Sequence, residues 1–462
     1  MMPGAPAAID TFRDPAGSLR IEGDLVRRRV RAALAQPALR FLRSPLAQEW
    51  VKQGHLVATL EQDSPEASEV FLEHPRIFFS SYPWEWTPNA WIAAANLTLD
   101  LCERLLKEGL VLKDATPLNV LFEGTRPVLV DVLSIDARDP ESPIWLAYAQ
   151  FVRTYLLPLL AYRYLGWPLT ASLIRRDGYE PADIYPYLGP MQRWREPFRS
   201  LVTLPHLFER RGQAMATAPT AKLRQKPEVA AAVLGRNLQK LRTKVAALKP
   251  ADRDSRWSRY SETADHYSGK DHEQKQAFVR NSLLKTRSQR VLDLGANTGV
   301  YSRIAAETGA RVVGWDTDVA ASMRSWSFAA EQKLDIQPLI ADPARPSPAT
   351  GWLNREWLSL LDRTRERFDC VFMLGLMHHL LIADQIPLSE VVELLRALTT
   401  RWAITEWIPA TDPRFKELVR GRDDLYGHLD RAAFVLAARK HFAIVEEERL
   451  ENGRTLFLLK AQ

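Results

Sequence analysis

The sequence lacks most features that would place it outside the ordinary globular proteins. It has two cysteines among 462 residues, Cys102 and Cys370, so neither a disulfide framework nor a paired-cysteine metal site is available. No run of 18 uncharged apolar residues occurs, and the most apolar stretch, 155–174, is interrupted by Arg163 and two prolines, which favours a buried helix over a membrane span. The first residues show no basic segment followed by an apolar one, so no secretory signal is predicted. These absences predict a cytoplasmic protein.

The net charge of +6 is distributed unevenly along the chain. The first 250 residues carry 32 basic and 26 acidic side chains, whereas the remainder carries 30 of each. Most of the excess lies in 201–250, which has ten basic and two acidic residues. A nucleic-acid-binding protein needs its positive charge close to its working site. Nucleic acid is therefore an unfavoured partner.

Length and composition predict two domains joined by a basic helix. An apolar spacing of four and three residues through Leu234, Leu238 and Leu241, with basic residues between them, indicates an amphipathic connecting helix. Before it we expect a hairpin, a helix at 37–53, a helix at 89–108 and a mostly helical stretch at 144–211. The predicted boundaries are a flexible N-terminus (1–17), an α+β domain (18–212), a helical basic linker (213–254) and an α/β domain (255–462).

Strand-like runs alternate with helical stretches after Asp252, and this pattern predicts a parallel sheet that ends in an antiparallel pair. The first strand runs into a glycine-rich turn and a helix, within 291–302 (VLDLGANTGVYS). Gly295 and Gly299 would let the backbone approach a ligand closely. Asp316 follows the second strand 21 residues after Gly295, where an acid can accept both ribose hydroxyls, and Asp342 follows the third strand, where a carboxylate can accept from an adenine amino group.

These strand tips together make 255–462 resemble a class I S-adenosylmethionine-dependent methyltransferase. The resemblance implies a Rossmann-like, seven-stranded sheet and S-adenosyl-L-methionine as the cofactor. A segment before the first strand folds over the cofactor in related enzymes, so Tyr267 and Lys275 become candidate contacts; ordinary helix packing is the alternative for both. The residues expected to bind the cofactor are Asp293, Gly295, Asn297, Gly299, Asp316, Asp342, Tyr267 and Lys275.

Three side chains are candidates for removing a proton from the methyl acceptor. His378 and His379 follow the fourth strand, where the acceptor should arrive, and an imidazole has a suitable pKa for a general base. A purely structural role for both histidines is the alternative. Glu406, at the end of the fifth strand, is the second choice. The histidines are adjacent rather than four residues apart, so no metal site is predicted.

A second motif lies in the first half of the chain. Asp114, Asn119 five residues later and Asp131 twelve residues after that resemble the catalytic loop and magnesium ligands of protein kinases and small-molecule phosphotransferases. No glycine-rich phosphate loop and no corresponding lysine before residue 50 accompany them. The resemblance therefore implies a degenerate kinase-like domain that binds substrate or positions its partner domain.

The C-terminal part, 414–459, resembles bacterial nodulation-type methyltransferases, which implies a carbohydrate or lipid-linked sugar acceptor. We therefore predict O-methylation of a glycan or another small molecule. The alternatives are a methyltransferase acting on RNA or protein, a bifunctional kinase–methyltransferase and a scaffold that binds the cofactor without turnover.

Overall fold

A computed structural model describes residues 16–63, 66–212, 224–250, 254–255 and 269–462. By their contacts, the residues divide into two compact units. The first comprises Met1–Phe122 and Arg126–Ala251, and the second comprises Glu123–Thr125 and Asp252–Gln462.

The first unit begins with a four-stranded antiparallel sheet in the order β1-β2-β4-β3. Its strands are β1 (Gly17–Glu22), β2 (Leu25–Arg31), β3 (Leu60–Gln62) and β4 (Glu69–Pro75). The helix predicted at 37–53 is in fact two helices, α1 (Ala32–Leu42) and α2 (Pro45–Gln53). A new helix begins after Ser44 because its side chain accepts a hydrogen bond from the Ala47 N–H and Pro45 occupies the first helical position.

A long helix, α3 (Pro88–Lys107), forms the middle of the first unit and starts at Thr87, whose hydroxyl accepts from the Ala90 N–H. Four short strands follow: β5 (Leu110–Leu112), β6 (Val120–Glu123), β7 (Arg126–Leu129) and β8 (Ile135–Ala137). The stretch predicted as mostly helical is divided into short helices: α4 (Tyr148–Phe151), α5 (Leu157–Leu165), α6 (Pro181–Ile184), α7 (Pro190–Arg193) and α8 (Leu204–Gly212). The predicted amphipathic helix is α9 (Pro227–Ala247), which packs on α3 through its buried leucines.

The second unit contains a seven-stranded sheet in the order β11-β10-β9-β12-β13-β15-β14. The strands are β9 (Arg290–Leu294), β10 (Arg311–Asp316), β11 (Ile336–Ile340), β12 (Phe368–Met373), β13 (Thr399–Trp407), β14 (Phe442–Arg449) and β15 (Thr455–Ala461). The helices are α10 (Gly269–Thr286), α11 (Val300–Glu307), α12 (Val319–Gln332), α13 (Leu360–Thr364), α14 (Leu388–Leu398), α15 (Pro413–Val419), α16 (Asp423–Tyr426) and α17 (Arg431–Ala438). The predicted parallel sheet with a terminal antiparallel pair is confirmed.

The strand order reverses between β9 and β12, which are neighbours in the sheet. In open parallel sheets, the carboxyl ends of the strands at such a reversal border a crevice where ligands bind. The buried core beneath it is apolar and includes Val291, Val312, Phe372, Ile404 and Leu458. The fold thus places the glycine-rich turn after β9 and the histidines after β12 at the same edge.

The two outermost strands of this sheet are irregular or interrupted. Strand β11 has Pro338, which lacks an N–H, at its centre. Strand β14 shifts register between Ile444 and Glu446 and continues with three consecutive glutamates. Among the described residues, no helix combines the length and the apolar character that crossing a bilayer requires.

Candidate functional site

The glycine-rich turn after β9 is held against β10 by the backbone. The N–H groups of Gly295 and Ala296 both donate to the Trp315 carbonyl, at 2.9 and 3.0 Å. Gly295 has a φ of +72°, which disfavours any residue with a Cβ. Gly299 has a φ of +83°, and a Cβ there would lie 2.4 Å from the Ser325 Oγ of α12. Gly299 therefore allows the turn to approach a helix, whereas the sequence pattern predicts that it faces the ligand.

Asp316 lies at the carboxyl end of β10 and fixes the same turn. Its Oδ2 accepts from the Asn297 N–H at 2.7 Å, and its Oδ1 accepts from the Asp318 N–H at 2.8 Å. Burial raises the pKa of this carboxyl, although hydrogen bonds from the backbone oppose the rise. Each carboxylate oxygen keeps a second lone pair, so the group can still accept hydroxyls from a ligand.

The other two predicted acids have different surroundings. Asp293 is almost fully buried, and its Oδ2 accepts from the Ser302 hydroxyl at 2.7 Å, which ties β9 to α11. Burial, with the nearby Asp316 charge, raises the pKa of Asp293 to about 6. Asp342 follows β11 and forms an ion pair with Arg345 at 3.1 Å.

A cavity of about 580 Å³ opens at this edge of the sheet. The structure brings the following predicted residues together in its wall: Lys275, Gly295, Asn297, Asp316, Asp342, His378 and His379. Asp293, Gly299 and Glu406 lie outside the wall. Tyr267 falls outside the described residues.

Four buried charged side chains form a chain of ion pairs next to the cavity. Lys275 Nζ lies 2.7 Å from Glu406 Oε2, and Arg454 Nη1 lies 3.4 Å from Glu406 Oε1. Arg454 Nε donates to Asp412 Oδ2 at 2.8 Å. Glu406 is completely buried, with a cation on each oxygen. Both carboxylate oxygens are engaged by cations and neither lines the cavity, so the geometry favours a structural role for Glu406 over the predicted catalytic one.

The two adjacent histidines differ in exposure. His378 is buried, and its Nδ1 has no hydrogen-bond partner among the described residues, whereas His379 is half-buried. Their ring centroids lie 4.2 Å apart. Burial, followed by the charges of His379, Arg454 and Lys275, lowers the pKa of His378 well below 6.5. The His378 ring is therefore neutral at pH 7.

Several residues of the site escaped the sequence prediction. Trp315 lines the cavity, and its buried indole nitrogen has no partner among the described residues. Tyr301 also lines the cavity, with Lys275 Nζ 4.8 Å from its ring centroid. The position of Trp315 directly before Asp316 was the available signal. No local sequence signal pointed to Arg454 and Asp412, because their pairing joins residues 42 positions apart.

Two of the three predicted kinase-like residues, Asn119 and Asp131, lie close together in the first unit. Asn119 precedes β6 and Asp131 follows β7, and the Val130 N–H donates to the Asn119 carbonyl at 3.0 Å. Arg28 of β2 forms an ion pair with Asp131 at 2.5 Å. His74 of β4 is buried nearby, and burial together with the Arg28 charge lowers its pKa to about 4. Asp114 follows β5. A kinase-like fold for this unit stays a prediction.

The strand order and the glycine-rich turn define the second unit as a class I methyltransferase fold, as the sequence predicted. Over its whole length the chain is similar to nodulation protein NoeA of Rhizobium meliloti (strain 1021), at 28% identity over 466 residues, which cover 97% of this chain and 94% of that protein. No family model matches the chain.

Solved methyltransferase structures give weaker matches. Magnesium protoporphyrin IX methyltransferase of Synechocystis PCC 6803, with bound SAH, is 17% identical and has a TM-score of 0.31, covering 42% of this chain and 84% of its own. N-methyltransferase NodS of Bradyrhizobium japonicum WM9, in complex with S-adenosyl-L-homocysteine, is 12% identical with a TM-score of 0.31, covering 44% and 98%. These TM-scores are low, so the fold assignment rests on the strand order and the glycine-rich turn.

Proposed function

We propose that the chain is an S-adenosylmethionine-dependent methyltransferase that acts on a hydroxyl of a carbohydrate or another small molecule. The observation that carries the proposal is the cavity at the strand-order reversal, with Asp316 at the tip of the second strand and His378 after the fourth. The wall also carries uncharged polar side chains, among them Asn297 and Thr298, so a polar ligand suits this cavity.

The residues present fit the cofactor. Gly295 and Asn297 of the glycine-rich turn line the cavity. Asp316 would accept the ribose hydroxyls, and Asp342 would face the adenine. S-adenosylmethionine, when bound, supplies a methyl group carried on a positively charged sulfur. The protein contributes alignment of the acceptor and removal of its proton, and His378 takes that proton because its ring is neutral and lines the cavity. Glu406 stays bound to its two cations throughout.

Calorimetry with S-adenosylmethionine tests the proposal. We expect saturable binding, and Asp316→Asn should weaken it by about 2–3 kcal/mol because charge-assisted hydrogen bonds to the ribose are lost. Asp335→Asn is the matched control: this carboxylate is exposed, pairs with Arg311 and lies outside the cavity wall. Equal affinity in both variants would remove Asp316 from the site. Transfer of labelled methyl into glycan fractions then tests the acceptor class.

A further inference from the structure

A second cavity, of about 600 Å³, lies wholly within the first unit. Residues of α2, α3 and α9 line it, and its volume falls in the range of about 300–1,000 Å³ that is usual for small-molecule sites. Asp114, Asn119 and Asp131 are not among the residues that line it. No role predicted from the sequence therefore accounts for this cavity.

Gly235 leaves room for this cavity in the interior of α9. Among the described residues, a Cβ at this position would have only Leu106 Cδ2 within 4 Å, at a distance of 3.9 Å. Packing within the first unit therefore does not require a glycine here, although glycine weakens the interior of a helix relative to alanine. The glycine is explained by the space that it leaves in the cavity for a ligand.

On the side of α2, a residue outside the wall holds two polar groups of the wall in place. Glu49 Oε1 accepts from Gln53 Nε2 at 2.7 Å and from Arg104 Nη1 at 3.3 Å. The Arg104 guanidinium also lies 5.9 Å from the ring centroid of Trp50, which lines the cavity. The Gln53 amide has a second N–H and a carbonyl oxygen, and Arg104 has five N–H groups, so both can still bind a ligand.

On the side of α9, Arg242 holds the two carboxylates of the wall. It forms ion pairs with Asp100 Oδ1 and, at 3.2 Å, with Glu103 Oε2. Gln239 Nε2 donates to Glu103 Oε1 at 3.0 Å. Each carboxylate oxygen has more than one lone pair, so these groups can accept further hydrogen bonds. The polar groups of the wall are thus oriented before a ligand arrives, which lowers the cost of binding.

The charges of the wall cancel, because Asp100 and Glu103 are matched by Arg104 and Lys107. A ligand with a net charge would be attracted by two of these side chains and repelled by the other two. A neutral ligand with many hydroxyls avoids that repulsion, since a hydroxyl can donate to a carboxylate and accept from a cation. Trp50 adds an apolar surface of the kind on which the C–H groups of a sugar ring can pack.

We propose that this cavity of the first unit is a binding site for a neutral saccharide. The experiment is saturation-transfer-difference NMR of cellobiose, maltose and lactose with the full-length protein in the absence of cofactor, and we expect saturable binding of at least one of them. Gly235→Leu fills the cavity, so this binding should be lost. Ala232→Leu is the matched control, because this residue is exposed on the same helix and lies outside the wall. Far-UV circular dichroism checks the folding of each variant.

A second pair of variants tests one hydrogen-bonding group of the wall. Gln53→Ala should raise the dissociation constant about fivefold, because a hydrogen bond to the saccharide is lost. Gln48→Ala, at an exposed position of the same helix outside the wall, should leave the dissociation constant unchanged. This pair decides the question if Gly235→Leu fails to fold.

Glucose, glucosamine and glucose 6-phosphate test the class of ligand, and neither charged sugar should bind more tightly than glucose. Tighter binding of a charged sugar would overturn the proposal, as would the absence of saturable binding for all three disaccharides. Binding that survives in folded Gly235→Leu would assign the saccharide to another site and would also contradict it. None of these measurements uses S-adenosylmethionine, so a failure of methyl transfer would contradict the proposed function and leave the saccharide site standing.

Discussion

At the scale of single residues, the two adjacent histidines differ in what surrounds them. His378 is buried beside Lys275 and Arg454, whereas His379 is half-buried at the cavity wall. We expect His378→Gln to lower turnover on an alcohol acceptor by about 100-fold, because a general base contributes on this scale, and to leave cofactor affinity unchanged. His379→Gln is the matched control and should have a smaller effect. Normal turnover in both variants would make the histidines structural.

His74 gives the first unit a pH-dependent stability. Its pKa falls from the ordinary 6.5 to about 4 on folding, so below pH 6.5 the unfolded chain binds a proton that the native ring does not. The stabilisation that the neutral His74 ring contributes to the folded state is complete above pH 6.5 and disappears as the pH falls towards 4. We expect the free energy of unfolding of the first unit to drop by about 3 kcal/mol over that interval.

Urea unfolding at several pH values measures this effect. His74→Gln should remove that part of the pH dependence, because glutamine does not titrate. His428→Gln, at an exposed position, is the control and should retain it. An unchanged slope in His74→Gln would show that other groups cause the acid sensitivity.

At the scale of elements, the packing of the glycine-rich turn on α12 depends on Gly299. Gly299→Ala should lower stability by roughly 2 kcal/mol, because a Cβ meets the Ser325 Oγ and the backbone has a positive φ. Gly309→Ala separates the two causes: its φ is +92°, but no atom lies within 4 Å of the added Cβ. Adding Ser325→Gly to Gly299→Ala should recover only the part due to the clash. Equal losses at both glycines in urea unfolding would contradict the steric account.

The elements that could be predicted from the sequence are those whose signal is local. Strands β9 to β12 could be predicted because each is a short buried run with a glycine or an aspartate at its end or within the next two residues, and the alternation with helices predicts parallel pairing. The break between α1 and α2 was missed because apolar spacing continued across Ser44 and Pro45. The surroundings of Glu406 could not be predicted, because its partners lie 131 and 48 residues away in sequence. Buried ion pairs of this kind have no periodicity to detect.

At the scale of the whole molecule, the two units should differ in their response to added ligands. S-adenosylmethionine at 100 times its dissociation constant should stabilise the second unit by about 2.7 kcal/mol and raise the midpoint temperature of one thermal transition. Millimolar Mg-ATP should raise the midpoint temperature of neither transition, because Arg28 already neutralises Asp131. Differential scanning calorimetry measures both responses. Saturable ATP binding that is abolished by Asp131→Asn would instead make the first unit an active nucleotide site.

The outer strands of the seven-stranded sheet also affect how the protein behaves at high concentration. A bare strand edge can recruit a strand from another molecule, and repeated recruitment produces fibres. On one side Pro338 removes a donor that such recruitment would need, and on the other the shifted register and the run of glutamates in β14 repel a partner of the same sequence. Both edges of the sheet therefore disfavour the addition of a strand from another molecule. At high protein concentration, fibrous aggregates should not start along those edges.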